Sequence, residues 1–353
     1  MRKQLHQAII AVILVMALLL PLPLPVSAQE VTVLPTEAVQ AVPETVPVTP
    51  ATTEPEATVP VLHSADPNTA IYQICDTLAQ GMEARHIIVY HTATDQILYS
   101  KTVGNGKLFP ASITKLFSSY VALQYLDPDA VITAGDELDL VHEGSSLAFI
   151  GKGAQLRVKT VVEGMMLPSG NDAAIILAAA AGRVIAQDEN LTPADAVQAF
   201  VDEMNRQADA LGFEKSHFSN PDGWHTGSHY TCLNDLARIS KLALENNTIR
   251  RYMRLAKDET TFVSGHYAVW ENSNLLLNPE EGYYRSDAIG MKTGYTRPAG
   301  YSLMSAFTFD EGEIVIGLFG YTSKNSRFWD AIQLVKAVKT QLRLEMQSDE
   351  SVG

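Results

Sequence analysis

Cysteine is nearly missing from this 353-residue chain, with Cys75 and Cys232 the only two. That excludes a disulfide scaffold and a four-thiolate zinc site, and leaves open either one bridge or two buried free thiols. Positive charge is also scarce: 26 Lys plus Arg stand against 40 Asp plus Glu, for a net charge of −14. Such a chain repels phosphate backbones and anionic lipid surfaces, which argues against nucleic-acid binding. The nine histidines show no metal-ligand spacing, and no zinc, nucleotide or other cofactor site is indicated. His229 reads as structural for the same reason, and Trp224 beside His225 reads as packing near a loop. Against these absences, hydrophobic residues make up 46% and charged residues 19%, close to the soluble average, so wholesale disorder is excluded. The length suits one large domain or two medium ones.

The N-terminus is of another character. Met1-Arg2-Lys3 precedes an apolar run, 8–20, then Pro21, Pro23, Pro25 and the small residues Ser27-Ala28. This is the pattern of a secretory signal peptide over 1–28. An uncleaved membrane anchor is the alternative, since 8–28 is about long enough to span a bilayer. Either way, the remainder is expected outside the cytoplasm, secreted or associated with the cell envelope. Residues 29–68 are rich in Pro, Thr, Val and Glu, have no Lys or Arg and show no period, so a disordered linker is expected there. The folded block should run from Thr69 to about 345, with a short tail over 346–353.

Within that block, helical spacing covers 71–82, and 86–91 with 96–101 alternates like a hairpin around Thr94-Asp95. Pro110-Ala111-Ser112 opens an apolar-periodic run to Leu126, with Ser112 where a helix N-terminus would fall. Further helices are expected at 159–167, 172–185, 193–211 and 230–245. Strands return at 288–293, 301–309 and 313–321, with Asp310-Glu311-Gly312 as a turn, before a final helix over 326–344. Two strands at the start and three at the finish imply one sheet assembled from both ends of the chain, with an inserted helical lobe and a cleft where the two meet. The short last turn makes its strand pair antiparallel.

Three short motifs fall at junctions of these elements. Ser112-Ile113-Thr114-Lys115 puts a hydroxyl and an amine three apart on one helical face. A Ser hydroxyl needs a base, and a Lys serves once burial or a nearby cation lowers its pKa. Ser169-Gly170-Asn171, at a break between helices, can project a second hydroxyl and an amide into the cleft. Lys292-Thr293-Gly294, at a strand end, offers a cation and a hydroxyl for a carboxylate, and a Gly beside which a ligand backbone could lie. Each motif alone is weak and reads as easily as a helix start, an N-capping turn or a strand end.

Together and in this order they are the signature set of penicillin-binding proteins and class A β-lactamases. The longer strings 109–115, 167–174 and 290–296, with Asn220-Pro221-Asp222-Gly223, Asp235-Leu236-Ala237 and 272–276, closely resemble the low-molecular-weight penicillin-binding proteins of the serine-type D-alanyl-D-alanine carboxypeptidase family. The resemblance runs from about His86 to Leu344. It implies a β-lactamase/transpeptidase-like α/β fold, with an antiparallel sheet, helices on its faces and the inserted helical lobe. It further implies hydrolysis of the terminal D-alanine from a peptidoglycan stem peptide through an acyl-enzyme, and covalent inhibition by β-lactam antibiotics. Ser112 would be the nucleophile, Lys115 the base, kept partly neutral by burial and the Lys292 cation, and Ser169 a proton shuttle. Asn171 would position Lys115 and the substrate amide. The backbone N–H groups of Ser112 and Tyr295 would form the oxyanion hole, and Thr293 and Arg327 would hold the terminal carboxylate.

Two departures stand out. Tyr295 replaces the His that many relatives carry after Lys-Thr-Gly. Many relatives also continue into a β-rich domain and a C-terminal anchor, whereas only 346–353 follow here, so any membrane tether is expected at the N-terminus. Competing roles on the same scaffold are a class A β-lactamase, for which Glu271-Asn272-Ser273-Asn274 has the wrong spacing, and a non-catalytic sensor of peptidoglycan or β-lactam.

Overall fold

The computed structural model describes residues 61–350. The expected signal peptide and the linker as far as residue 60 lie outside the described residues, as do the last three. The fold begins before the expected boundary at Thr69, because His63 already pairs with Gln96 in a parallel bridge.

Helix α1 (Ala70–Ala79) starts at Thr69, whose hydroxyl accepts from the Tyr72 N–H. Strands β1 (His86–His91) and β2 (Gln96–Lys101) follow as the expected hairpin. A 3-10 turn, Ala111–Ile113, leads directly into α2 (Thr114–Ala122). Two short strands, β3 (Val131–Thr133) and β4 (Gln155–Arg157), pair with each other and hold the loop between them. Then come α3 (Val158–Met166), α4 (Asn171–Ala186), α5 (Pro193–Ala210), α6 (Leu233–Glu245) and α7 (Asn247–Met253). Thr192 caps α5 with Pro193 at its first position, the pairing a helix start favours. A small hairpin, β5 (Lys257–Thr261) and β6 (Tyr267–Glu271), precedes β7 (Ala288–Thr296), β8 (Gly300–Thr308) and β9 (Glu313–Tyr321). Helix α8 (Ser326–Glu350) closes the chain and runs past the expected stop near 344.

The main sheet has the order β2-β1-β9-β8-β7, and every neighbouring pair is antiparallel. Both ends of the chain therefore build one sheet. Its two faces follow from the period-2 alternation of apolar residues. Ile87, Val89, Leu303, Phe307, Ile314 and Ile316 point to one face, where Phe328, Leu334 and Val335 of α8 and Ile71 and Cys75 of α1 cover them. Ile88, Tyr90, Met304, Ala306 and Val315 point to the other, under the inserted helices. No apolar side chain of the central strands is left to water, which is why they read as near-continuous hydrophobic runs.

Helix α2 is buried along its whole length, with Phe117 against Phe218 at 5.0 Å and Phe213 at 5.1 Å. Replacing Phe117 by Ala would cost about 3–5 kcal/mol and loosen the helix that carries Lys115. The 3-10 turn before α2 packs on β7, the last strand in the sheet order, and that contact sets the cleft. No helix among the described residues is long and apolar enough to cross a membrane.

Candidate active site

The turn bearing Ser112 is held in a costly shape. Ala111 has φ +50°, a region that disfavours any residue with a Cβ, at roughly 1–3 kcal/mol. Two glycines let its neighbours close in around it. A Cβ on Gly223, which has φ +85°, would sit 1.9 Å from the Ala111 carbonyl oxygen. One on Gly294 would sit 2.9 Å from the Pro110 carbonyl oxygen and 3.3 Å from the Ser112 nitrogen. The nucleophile turn thus approaches the strand at Gly294, the glycine expected to admit a ligand backbone, which also lines the cavity described below. A buried chain of hydrogen bonds fixes the turn from below. The Ser219 N–H donates to His229 Nδ1 at 3.1 Å, His229 Nε2 contacts Thr114 Oγ1 at 2.8 Å, and the Thr114 hydroxyl donates to the Ala111 carbonyl at 2.8 Å. Burial, helped by the charges of His217, His225 and Lys115, lowers the His229 pKa to about 3, so the ring stays neutral and structural.

Lys115 lies one turn along, fully buried, with Nζ 3.0 Å from Ser112 Oγ. The same nitrogen donates to Asn171 Oδ1 at 2.7 Å and to the Asp222 carbonyl at 2.8 Å. The nitrogen thus has three acceptors around it, Ser112 Oγ among them, and loss of the proton on that side would leave a lone pair facing the Ser112 hydroxyl. Burial pushes the Lys115 pKa down to about 8, against an upward pull from the Asp222 and Asp172 carboxylates.

Lys292, the expected helper cation, is also fully buried, and burial first, then the charges of Lys115 and Arg327, drive its pKa well below the ordinary range. Its Nζ donates to the Thr293 carbonyl at 3.1 Å. Burial is the first cause of the lowering at Lys115 and at Lys292 alike.

The second motif sits at the start of α4. Ser169 is buried with φ +63°, a further strained residue in the cleft, and its carbonyl accepts from Ser146 Oγ at 2.7 Å. The Asn171 amide is held at both ends, since its Nδ2 donates to Ser145 Oγ at 2.9 Å. Asp172 receives the N–H groups of Ala148 and Ile150 at 2.8 and 3.0 Å, which ties the loop after residue 140 to the helix N-terminus.

Across the cleft, Thr293 Oγ1 meets Ser273 Oγ at 2.5 Å. Tyr295 is exposed and stacks on Tyr301 with ring centres 4.3 Å apart. Arg327, only 4% exposed, has Nε and Nη1 without a hydrogen-bond partner, while its guanidinium lies 4.7 Å over Phe328 and 5.3 Å over Tyr301. Burial pulls its pKa down to about 10, still a cation at neutral pH. Ser112, Ser169, Thr293, Gly294, Tyr295 and Arg327 line one cavity of about 620 Å³. A separate depression, lined by Arg285, Asp287, Lys339 and Arg343 and by none of these groups, holds an ion cluster instead.

Every site residue expected from the motifs thus borders this cleft or, for Lys115, Asn171 and Lys292, its buried floor. Three contributors were not anticipated. The Asp222 carbonyl, Gly223 and Ser273 act through a backbone atom, a missing side chain and a supporting hydroxyl, and only the turn string 220–223 hinted at the first two. Glu271, the look-alike for a β-lactamase carboxylate, has a side chain 76% exposed and pairs with Lys257 on the β5–β6 hairpin, outside the cavity. Cys75 and Cys232 are both free and buried, their thiols pushed up to about 12, first of all by burial.

Comparison with known proteins agrees with this geometry. Residues 74–320 match the family model for D-alanyl-D-alanine carboxypeptidase. The chain is 27% identical over 248 residues to the D-alanyl-D-alanine carboxypeptidase DacF of Bacillus subtilis, covering 69% of this chain and 59% of that one. It is 30% identical over 225 residues to DacA of Escherichia coli, covering 60% and 50%. The match thus spans only about half to three-fifths of those curated relatives. Among solved structures, a Streptomyces DD-transpeptidase superposes with a TM-score of 0.65 at 28% identity, covering 73% of this chain and 97% of that one. With the model matched across most of the folded block and the motif residues gathered in one cleft, the chain belongs to the D-alanyl-D-alanine carboxypeptidase family.

Proposed function

We propose that this protein is a serine-type D-alanyl-D-alanine carboxypeptidase that removes the terminal D-alanine from peptidoglycan stem peptides. The observation that carries this reading is the placement of Lys115, whose buried Nζ is held by Asn171 and the Asp222 carbonyl at 3.0 Å from Ser112 Oγ, where its neutral form can take the hydroxyl proton. As Ser112 Oγ attacks the carbonyl between the two D-alanines, its proton passes to Lys115. The developing oxyanion meets the backbone N–H groups of Ser112 and Tyr295. The terminal carboxylate pairs with Arg327, whose buried N–H groups lack any other partner, and with Thr293, whose hydroxyl Ser273 orients. That incoming anion also favours the ammonium form of Lys292, because an opposite charge offsets the cost of burying it. Ser169 relays a proton to the leaving amine, the C–N bond breaks, and D-alanine departs. Water then attacks the acyl-enzyme and frees Ser112.

A β-lactam presents an amide carbonyl and a carboxylate in a similar relation, so it acylates Ser112 and blocks the cleft. The substrate places the enzyme at the cell envelope, and the signal pattern over 1–28 supports export, with the N-terminal segment as the candidate tether. A class A β-lactamase is disfavoured because its look-alike Glu271 stands outside the cavity. The deciding experiment treats purified protein with benzylpenicillin, maps the adduct by mass spectrometry, and assays a pentapeptide ending in D-Ala-D-Ala. A stable adduct on Ser112 with D-alanine release supports the peptidase. Rapid penicillin turnover would instead indicate a β-lactamase, and an adduct without peptide hydrolysis a sensor.

A further inference from the structure

Ser112 borders two cavities. The first continues towards Thr293 and Arg327. The second, about 400 Å³, continues instead towards Asn171, Trp224, His225 and Arg297. The catalytic steps above make no use of Trp224, His225 or Arg297. The Trp224 indole stacks on His142 with ring centres 4.6 Å apart and planes at 23°, forming a flat aromatic wall. His225 sets its ring against Phe109 at 4.6 Å, and its Nδ1 is buried with no hydrogen-bond partner. Arg297 is exposed and makes no ion pair among the described residues. The one acid in this lining, Asp222, is buried and turned inward, with its carboxylate accepting the Trp224 N–H at 3.1 Å.

An acyl-transfer substrate seated on Ser112 has a leaving side and an acyl side. Once Arg327 takes the leaving residue's carboxylate, the acyl side is left to the second cavity. Whatever side chain projects there meets an unpaired guanidinium, an aromatic wall and an unsatisfied imidazole nitrogen. That lining attracts a carboxylate and repels a lone ammonium group.

We infer that the second cavity is the acyl-side subsite, and that Arg297 makes the protein prefer substrates with a carboxylate on that side, such as a stem peptide whose residue before the two D-alanines is a diamino-dicarboxylic acid, over those with only an ammonium, such as lysine. This rests on the acyl-transfer reading of Ser112 given above. Penicillins test it, because their side chains lie on the acyl side and they need no peptide hydrolysis. The second-order rate of Ser112 acylation is measured by intact-protein mass spectrometry for carbenicillin, which bears a carboxylate, and ampicillin, which bears an ammonium. Benzylpenicillin, neutral at that position, normalises each rate. The expected carbenicillin-to-ampicillin ratio in the wild type is about tenfold, as for one partly exposed charge pair. Arg297→Ala should bring the ratio near one, and Arg297→Glu should invert it. Equal ratios in wild type and Arg297→Ala, or a wild-type preference for ampicillin, would overturn the inference while leaving the catalytic reading intact. No acylation of the wild type by any of the three would overturn that reading, and the subsite with it.

Discussion

On the helical wall of the cleft, the Lys115 amine and the Asn171 amide are fully engaged, each polar atom resting on a named partner. On the opposite wall, Arg327 at the start of α8 keeps two nitrogens buried without any. The first arrangement lowers the free energy of the empty protein and holds an amine beside a hydroxyl. The second raises it, because buried polar groups left unpaired cost about 1–3 kcal/mol each. One wall is finished in the empty protein, and on the proposed reading the other is completed by substrate. Catalysis by differential binding calls for both, a preset base and an unsatisfied site whose partner the ligand brings.

The comparison can be broken most sharply at the finished wall. Ser112→Ala should abolish penicillin labelling altogether, and any remaining adduct at full occupancy would remove Ser112 as nucleophile. Lys115→Ala should slow acylation by about 10³-fold or more, since the hydroxyl then has no base. The wild-type pH profile sharpens this. The amine works only when neutral, so acylation should climb with pH through about 8 and level off above it; a flat profile from pH 6 to 9 would contradict the assignment. Gly223→Ala forces a Cβ to 1.9 Å from the Ala111 oxygen at a positive φ, and denaturant unfolding should show a loss of about 2–4 kcal/mol with reduced acylation.

At the unfinished wall the signs should separate. Arg327→Met should lower kcat/KM for a D-Ala-D-Ala peptide by about 10- to 100-fold, yet raise the stability of the empty protein by about 1 kcal/mol, because an unpaired buried cation is gone. Loss of both activity and stability would mean that Arg327 is a structural support. Smallest of all, Lys152→Ala removes two solvent-exposed ion pairs, to Asp136 and Asp139, and the thermal unfolding midpoint should stay where it is in the wild type.

What the sequence disclosed follows the same division. Strands β1, β2 and β9 were expected at the bounds they occupy, because buried strands flanked by turns carry a clear apolar signature. The β5–β6 hairpin went unseen: Lys257–Thr261 has no apolar face to alternate. So did α7, seven residues long and too short to show a period. In the site, residue types at motif spacing pointed to Ser112, Lys115, Asn171 and Lys292. The Asp222 carbonyl escaped notice because any residue supplies a carbonyl, and only folding decides which one meets an amine. The depth of Lys292's burial beside Lys115 and Arg327 was equally out of reach, since it is a property of the assembled cleft.

Strand β1 lies between β2 and β9, and a hydrogen bond from His91 to the Glu311 carbonyl joins segments 220 residues apart. The turn carrying Ser112 has no β7 to lean on until residues 288–296 of the 353 have been made. Closing so wide a loop is entropically slow, and nothing local rewards it early. A growing chain halted before residue 288 would hold a serine and a lysine with no reactivity towards penicillin, so competence should arrive late and all at once.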